Sequence, residues 1–241
     1  MLNIRYRVLL AVSLFDTVSG VNIFEKAKFT ADGNVPINAI GKGAGVYVFT
    51  DLLPGHLKLT VKAYGFEPLT FEVDVEPDGK MIDRLLYLMP DEYYTGDRPF
   101  RRFEGCKRGL TSIEAVRLNR ETCRYRETDE RKRIITVYDQ RGKDFLETPY
   151  AIISDRDMTY ERLDIIKNIG GGKIKVQTVP EKEYSVGDRI NRICFGRVDE
   201  EGNYSLVLAD EGNEKYIVKT CDEEGEHFAF LDFRLADDFK L

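Results

Sequence analysis

A chain of 241 residues with 42% apolar and 32% charged residues is long enough for two domains and too apolar to be disordered by composition. Its formal net charge of −6 argues against a nucleic-acid binder, which needs a basic face with stacking aromatics. No apolar run approaches the roughly 18 residues of a membrane-crossing helix, so no membrane insertion is expected.

The first element is a strand. Ile4, Tyr6, Val8, Leu10, Val12 and Leu14 fall on one face, and Arg5, Arg7, Ala11 and Ser13 on the other. The basic start, apolar middle and Val18-Ser19-Gly20 end also suit a secretory signal. Period-two alternation and the interrupting Asp16 favour a half-buried strand, followed by a D-T-V-S-G turn in which Asp16 bonds its own backbone. A strand here leads to the expectation of a cytoplasmic protein, at least during assembly. Short apolar pieces follow at Val21–Phe24 and Ala27–Phe29, then an Asp32-Gly33-Asn34 turn. Strands are predicted at Val46–Phe49, Leu57–Lys62 and Leu69–Val75, separated by Leu53-Pro54-Gly55 and Tyr64-Gly65-Phe66.

The run GVYVFTDLLPGHLKLTVKAYGF resembles the carboxypeptidase regulatory-like, or transthyretin-like, β-sandwich. The likeness rests on Gly45, Tyr47 and Phe49 of the Gly-aromatic strand and on the corner Asp51, Leu52, Pro54 and Gly55. It continues through Leu57, Leu59 and Val61 to Ala63, Gly65 and Phe66, and the region of likeness spans residues 3–88. It implies a sandwich over 1–89 and no particular function, since such modules occur on enzymes, receptors, adhesins and phage particles alike.

Residues 90–132 lose the alternation and carry Pro90, Gly96, Pro99, Gly105 and Gly109, which reads as a connector or arm. Tyr93, Tyr94, Arg98, Phe100, Arg101, Arg102 and Phe103 within it are the expected partner-contact residues; the competing reading packs the aromatics on their own domains. Replacing Phe100 to Phe103 by alanine is then expected to leave both domains folded. Residues 97–133 hold 12 Lys/Arg against 7 Asp/Glu, and residues 199–241 hold 4 against 13. The basic middle could dock on an acidic surface, or on the acidic tail of a second copy; a solvated, unevenly charged surface is the plainer reading. Thr111-x-x-Glu114 could cap a short helix, whereas Arg124-Tyr125-Arg126 looks extended.

Residues 133–241 read as a second β domain. Strands are predicted at Ile134–Tyr138, Pro149–Ser154, Lys173–Val179, Arg189–Phe195, Tyr204–Leu208, Tyr216–Lys219 and Phe228–Leu235, with a polar turn at Asp139-Gln140-Arg141-Gly142. Tyr160, Leu163, Ile166 and Ile169, three apart with Asp157 ahead and Gly170 behind, predict one short helix. Glycine turns at 186–188, 201–203 and 211–213 suit either the same sandwich family or a small barrel. The expected fold is all-β: two antiparallel sandwich or barrel-like domains, with one short helix in the second.

No motif announces catalysis, so no enzyme is expected. Cys106, Cys123, Cys194 and Cys221 lack zinc spacing and are taken as reduced thiols. Neither His56 nor His227 has a nucleophile placed beside it. Gly41-Lys42-Gly43-Ala44-Gly45 runs into a strand, so no helix N-terminus stands there to hold phosphate, and Gly170-Gly171-Gly172 ends the expected helix. The clusters at 199–201 and 222–224 lack the alternation of a calcium loop and read as hairpin tips. No cofactor or metal is expected. By elimination, the sequence suggests a structural or adaptor subunit that meets protein partners, copies of itself included, in a larger particle such as a phage tail or contractile injection system. A carbohydrate- or cell-surface-binding sandwich is the alternative, which the absence of Trp disfavours.

Overall fold

Alternation along residues 10–16 is realised in three dimensions: in the computed structural model Leu10, Val12 and Leu14 are fully buried. The structure describes residues 7–32, 35–77, 80–96, 98–119, 122–131, 133–138 and 149–235. The start of the first predicted strand and the turns at 32–34 and 139–142 therefore lie wholly or partly outside the described residues. The chain divides into two compact units, Met1–Asp97 and Arg98–Leu241. Every described element is a strand, so the all-β expectation holds for both.

The first unit contains β1 (Leu10–Asp16), β2 (Ala27–Ala31), β3 (Val35–Ile37), β4 (Ile40–Gly43), β5 (Val46–Phe49), β6 (Gly55–Ala63), β7 (Leu69–Val75) and β8 (Ile82–Leu88). Two four-stranded sheets, ordered β4-β5-β1-β8 and β3-β2-β6-β7, contribute to one core. Leu14, Phe49 and Leu88 come from the first sheet; Phe29, Leu59 and Val73 come from the second. Phe29 meets Phe49 edge-on at 5.0 Å. Each such side chain contributes roughly 1.5–3 kcal/mol through burial, which makes this a β-sandwich in the energetic sense as well. β1 pairs β8 in parallel, Leu10 opposite Ile82 through Asp16 opposite Leu88, a pairing that strand spacing alone does not reveal. Gly45 has a φ of +70°, and a Cβ there would stand 2.6 Å from the Ile23 carbonyl oxygen. Only glycine fits that turn.

The second unit opens with β9 (Phe100–Cys106), β10 (Ser112–Arg117) and β11 (Cys123–Thr128). The stretch read as a connector thus carries three strands from Phe100 onward: β9 is half-buried to exposed, and β10 buries Glu114 and Arg117 along with its apolar residues, so charge hides the strands in the sequence. The helix considered after Thr111 is also strand. The unit continues with β12 (Ile134–Tyr138), β13 (Pro149–Ser154), β14 (Thr159–Gly170), β15 (Lys173–Val176), β16 (Arg189–Phe195), β17 (Arg197–Val198), β18 (Asn203–Ala209), β19 (Lys215–Asp222) and β20 (Gly225–Asp232).

Six of these strands close on themselves. The order β11-β12-β15-β14-β13-β16 returns to β11 through Cys123 opposite Ile190, which makes an antiparallel barrel. Its interior holds Cys123, Ile135, Tyr150, Leu163, Ile174 and Ile190, one from each strand. Past the closure, β16 pairs β10 at Ile193 opposite Val116, and the sheet continues through β19 to β20. The inner face of that extension packs with the β17-β18-β9 sheet around Ile113, Leu206, Tyr216 and Leu231.

The short helix expected at 157–170 is β14 instead. Tyr160 belongs to the cluster with Ile153 and Ile193, whereas Leu163 and Ile165 point into the barrel. One strand that buries opposite faces at its two ends produces three-residue spacing without any helix. Gly170, Gly171 and Gly172, all at positive φ, turn β14 into β15 rather than capping a helix.

Candidate contact surfaces

Tyr93 and Tyr94, adjacent in sequence, are put to different uses. After β8 the chain pairs back on the β6–β7 turn: Pro90 bridges Phe66, and the Asp91 N–H donates to the Gly65 carbonyl at 3.0 Å. The Asp91 carboxylate accepts the Tyr93 N–H at 2.8 Å. Tyr94 turns inward, donating its hydroxyl to Asp16 Oδ2 at 2.7 Å and standing edge-on to Phe66 at 5.5 Å. Tyr93 turns outward beside Tyr64, ring centres 6.3 Å apart, the two residues 58% and 67% exposed. Gly65, at a φ of +81°, lets the two turns approach, since a Cβ there would meet the Tyr94 Cα at 3.3 Å. Tyr64 carried no sequence signal as a surface residue, because its neighbour Tyr93 lies in a separate turn.

Of the other expected contact residues, Arg98 is exposed and Phe100 is half-buried. Arg101 pairs with Asp210, and its guanidinium lies 4.8 Å above the Phe233 ring. Phe103 stands 5.8 Å from the same ring and packs on the core of that sheet. Arg102, on the opposite face of β9, reaches Glu104 at 3.7 Å and Ser205 at 3.4 Å. Replacing all four by alanine would remove Phe103 from that core and break the Arg101–Asp210 pair, so the variant alters packing within the unit as well as its surface.

Opposite charges of the middle and tail meet within this unit. Arg117 pairs with Glu214 and both are buried; Lys107 lies 3.1 Å from Asp222, itself held at about pKa 2 by His227 and Lys107. Sequence reasoning also missed a buried ionic node. Glu114, directly across the ladder from Lys219, lies 3.1 Å from its amino group and accepts the Tyr160 hydroxyl at 3.1 Å. Burial and the neighbouring Glu114 push the Tyr160 phenol well above its ordinary value. No spacing rule joins Tyr160 to Glu114, which lie on different elements 46 residues apart.

A cavity of about 240 Å³ beside the barrel is lined by Tyr125, Thr128, Ile135, Pro180, Glu183 and Tyr184. The Tyr184 hydroxyl donates to Glu161 at 3.0 Å, and the same carboxylate accepts the N–H groups of Glu181 and Lys182, which fixes the loop along the cavity. The histidines belong to different units, and each lies on a strand and pairs with a carboxylate of the neighbouring strand. His56 Nδ1 is 2.8 Å from Asp74, which raises its pKa, and His227 Nε2 is 2.9 Å from Asp222. Asp199 ties its hairpin by accepting from the N–H groups of Glu201 and Asn203. Among the described residues, no group of three or more His, Cys, Asp or Glu is placed to hold a metal ion, and no helix is long and apolar enough to cross a membrane.

No protein-family model and no curated protein matches the chain. Among solved structures it is similar to that of BcpA, the major pilin subunit of Bacillus cereus, at 11% identity and a TM-score of 0.28. That alignment covers 92% of this chain and 66% of the pilin chain.

Proposed function

We propose that this chain is a non-enzymatic structural or adaptor subunit of a larger protein assembly. The observation that carries the reading is the Tyr64–Tyr93 pair: two amphipathic rings held outward on backbone-tied turns while neighbouring Tyr94 is committed to Asp16. Rigid, exposed tyrosines supply contact area at low entropic cost, which is why they are enriched at protein interfaces. In the finer form of the proposal, the first unit is a transthyretin-like decoration module and the whole protein a component of a phage-tail or contractile-injection particle assembled in the cytoplasm. In the second unit, Arg98 and the exposed parts of Phe100 and Arg102 supply a contact surface of their own.

The test is incorporation in the native source. Wild-type protein is expected in a high-mass fraction of its source lysate. The Tyr64→Ala/Tyr93→Ala variant is expected to keep its melting temperature yet leave that fraction, since each tyrosine at an interface centre contributes on the order of 2 kcal/mol, about 30-fold in affinity. A wild-type chain that runs free of any larger complex overturns the proposal. The Tyr125- and Tyr184-lined cavity favours a second reading, a carbohydrate- or surface-binding module. Glycan-array binding that disappears in Tyr125→Ala would move the function there.

A further inference from the structure

Among the described residues, barrel closure leaves β20 as the open edge of the nine-stranded sheet. Other open edges in the molecule carry features that discourage pairing. β3 has three residues including Pro36, β17 has two, and β4 is Gly-Lys-Gly at its end. β7 presents Glu72 and Asp74, β8 presents Asp83 and Arg84, and β9 carries Arg102 and Glu104. β20, with sequence GEHFAFLD, keeps its carboxylates Glu226 and Asp232 near its two ends, holds no proline, lysine or bulge, and its middle is His-Phe-Ala-Phe. Phe230 is 51% exposed.

The β19–β20 hairpin sets which groups face outward. Asp222 opposite Gly225 closes a two-residue turn, so the odd-numbered residues of β20 hydrogen-bond to β19, in phase with the Phe233 N–H that donates to the Glu214 carbonyl. Backbone N–H and C=O groups of Glu226, Phe228 and Phe230 point away from β19, and among the described residues no strand receives them. Charge runs in one direction along the same edge. Glu223, Glu224 and Glu226 stand at its start, and Lys215 and Arg234 flank Asp232 at its end.

We infer that β20 of one molecule pairs antiparallel with β20 of a second copy about a twofold axis at Ala229. An antiparallel pairing is the arrangement that brings the acidic start of each strand to the basic end of the other. In this register Phe228 faces Phe230 of the second copy as a hydrogen-bonded pair, and Glu224 falls opposite Arg234 of the second copy; Glu226 falls opposite Asp232, whose carboxylate is already held by Lys215 and Arg234 of its own chain. Ala229 meets its own equivalent at a non-hydrogen-bonded position, where side chains approach most closely. The contact is isologous and closes at a dimer, so it removes the open edge without generating a fibre. It builds on the assembly reading by naming one partner, but stands on β20 alone.

The experiment uses the full chain. Sedimentation over a concentration series is expected to show a monomer–dimer equilibrium that weakens with salt. Phe230→Glu, whose carboxylate can pair with Lys215 within the chain but would face Phe228 of the second copy, is expected to raise the dimer Kd about tenfold or more at an unchanged melting temperature. Ala229→Cys, in a Cys106→Ser/Cys221→Ser background, is expected to give a disulfide dimer on mild oxidation, and adding Phe230→Glu to suppress it. A monomer at all concentrations, or a dimer indifferent to Phe230→Glu with no Ala229→Cys cross-link, overturns the inference. If the dimer fails while wild-type protein still enters the high-mass fraction, the edge pairing falls and the assembly reading stands.

Discussion

At the scale of single residues, Asp16 separates what is local from what is not. Its carboxylate accepts the Val18 N–H at 2.8 Å and the Ser19 hydroxyl, bonds that the D-T-V-S-G spacing already implies. The same carboxylate accepts Tyr94 across 78 residues, which no local spacing encodes. Cys123 makes the comparable point for chemistry. Its sequence context resembles that of the other thiols, yet β11 aims it into the barrel, and burial pushes its pKa from 9 up to about 12. The folded state therefore holds the neutral thiol. Its stabilising contribution is complete below about pH 9 and is lost as pH rises toward 12, because the unfolded thiol ionises first. At pH 8, with a soluble thiol reagent, Cys123 is expected to label about a thousandfold or more slowly than exposed Cys106, and the two should label alike in denaturant. Equal native rates would contradict the barrel interior.

At the scale of elements, short strands bounded by turn residues were legible, whether they bury one face, as β7 does, or both, as β13 does. Val46–Phe49, Leu69–Val75, Pro149–Ser154 and Arg189–Phe195 match β5, β7, β13 and β16 end to end. β14 was not, because periodicity assumes that an element faces one core, and Tyr160 and Leu163 serve two. The glycine run after it offers a test of the hairpin. Gly172 has a φ of +72°, and a Cβ there would stand 2.6 Å from the Val137 carbonyl oxygen, whereas the space around Gly171 is open. Gly172→Ala is expected to destabilise by about 2–4 kcal/mol and Gly171→Ala by about 1–2 kcal/mol, read from denaturant midpoints. Equal small costs at both positions would argue against this turn.

At the scale of the whole molecule, each unit has its own core and every sheet lies within one unit. Residues 1–97 and 98–241, expressed separately, are therefore expected to melt cooperatively with β-sheet circular dichroism. A fragment that stays unfolded would show that the division is not one of stability. The charge asymmetry belongs to this scale too. What reads along the chain as a basic patch and an acidic tail becomes Arg101–Asp210, Lys107–Asp222 and Arg117–Glu214 once strands far apart in sequence are joined.

Alternation of apolar residues and the placement of glycine turns were enough to establish an all-β protein and most of its strand positions, because each strand writes its buried face into its own residues. Strand partners were decided only in three dimensions. The parallel β1–β8 pair, the barrel closure of β11 on β16, the Glu114–Lys219–Tyr160 node and the open edge of β20 all depend on backbone groups that are chemically the same at every residue. A hydrogen-bonding backbone carries no address, so side-chain packing on both faces of the sheet has to choose which strands meet.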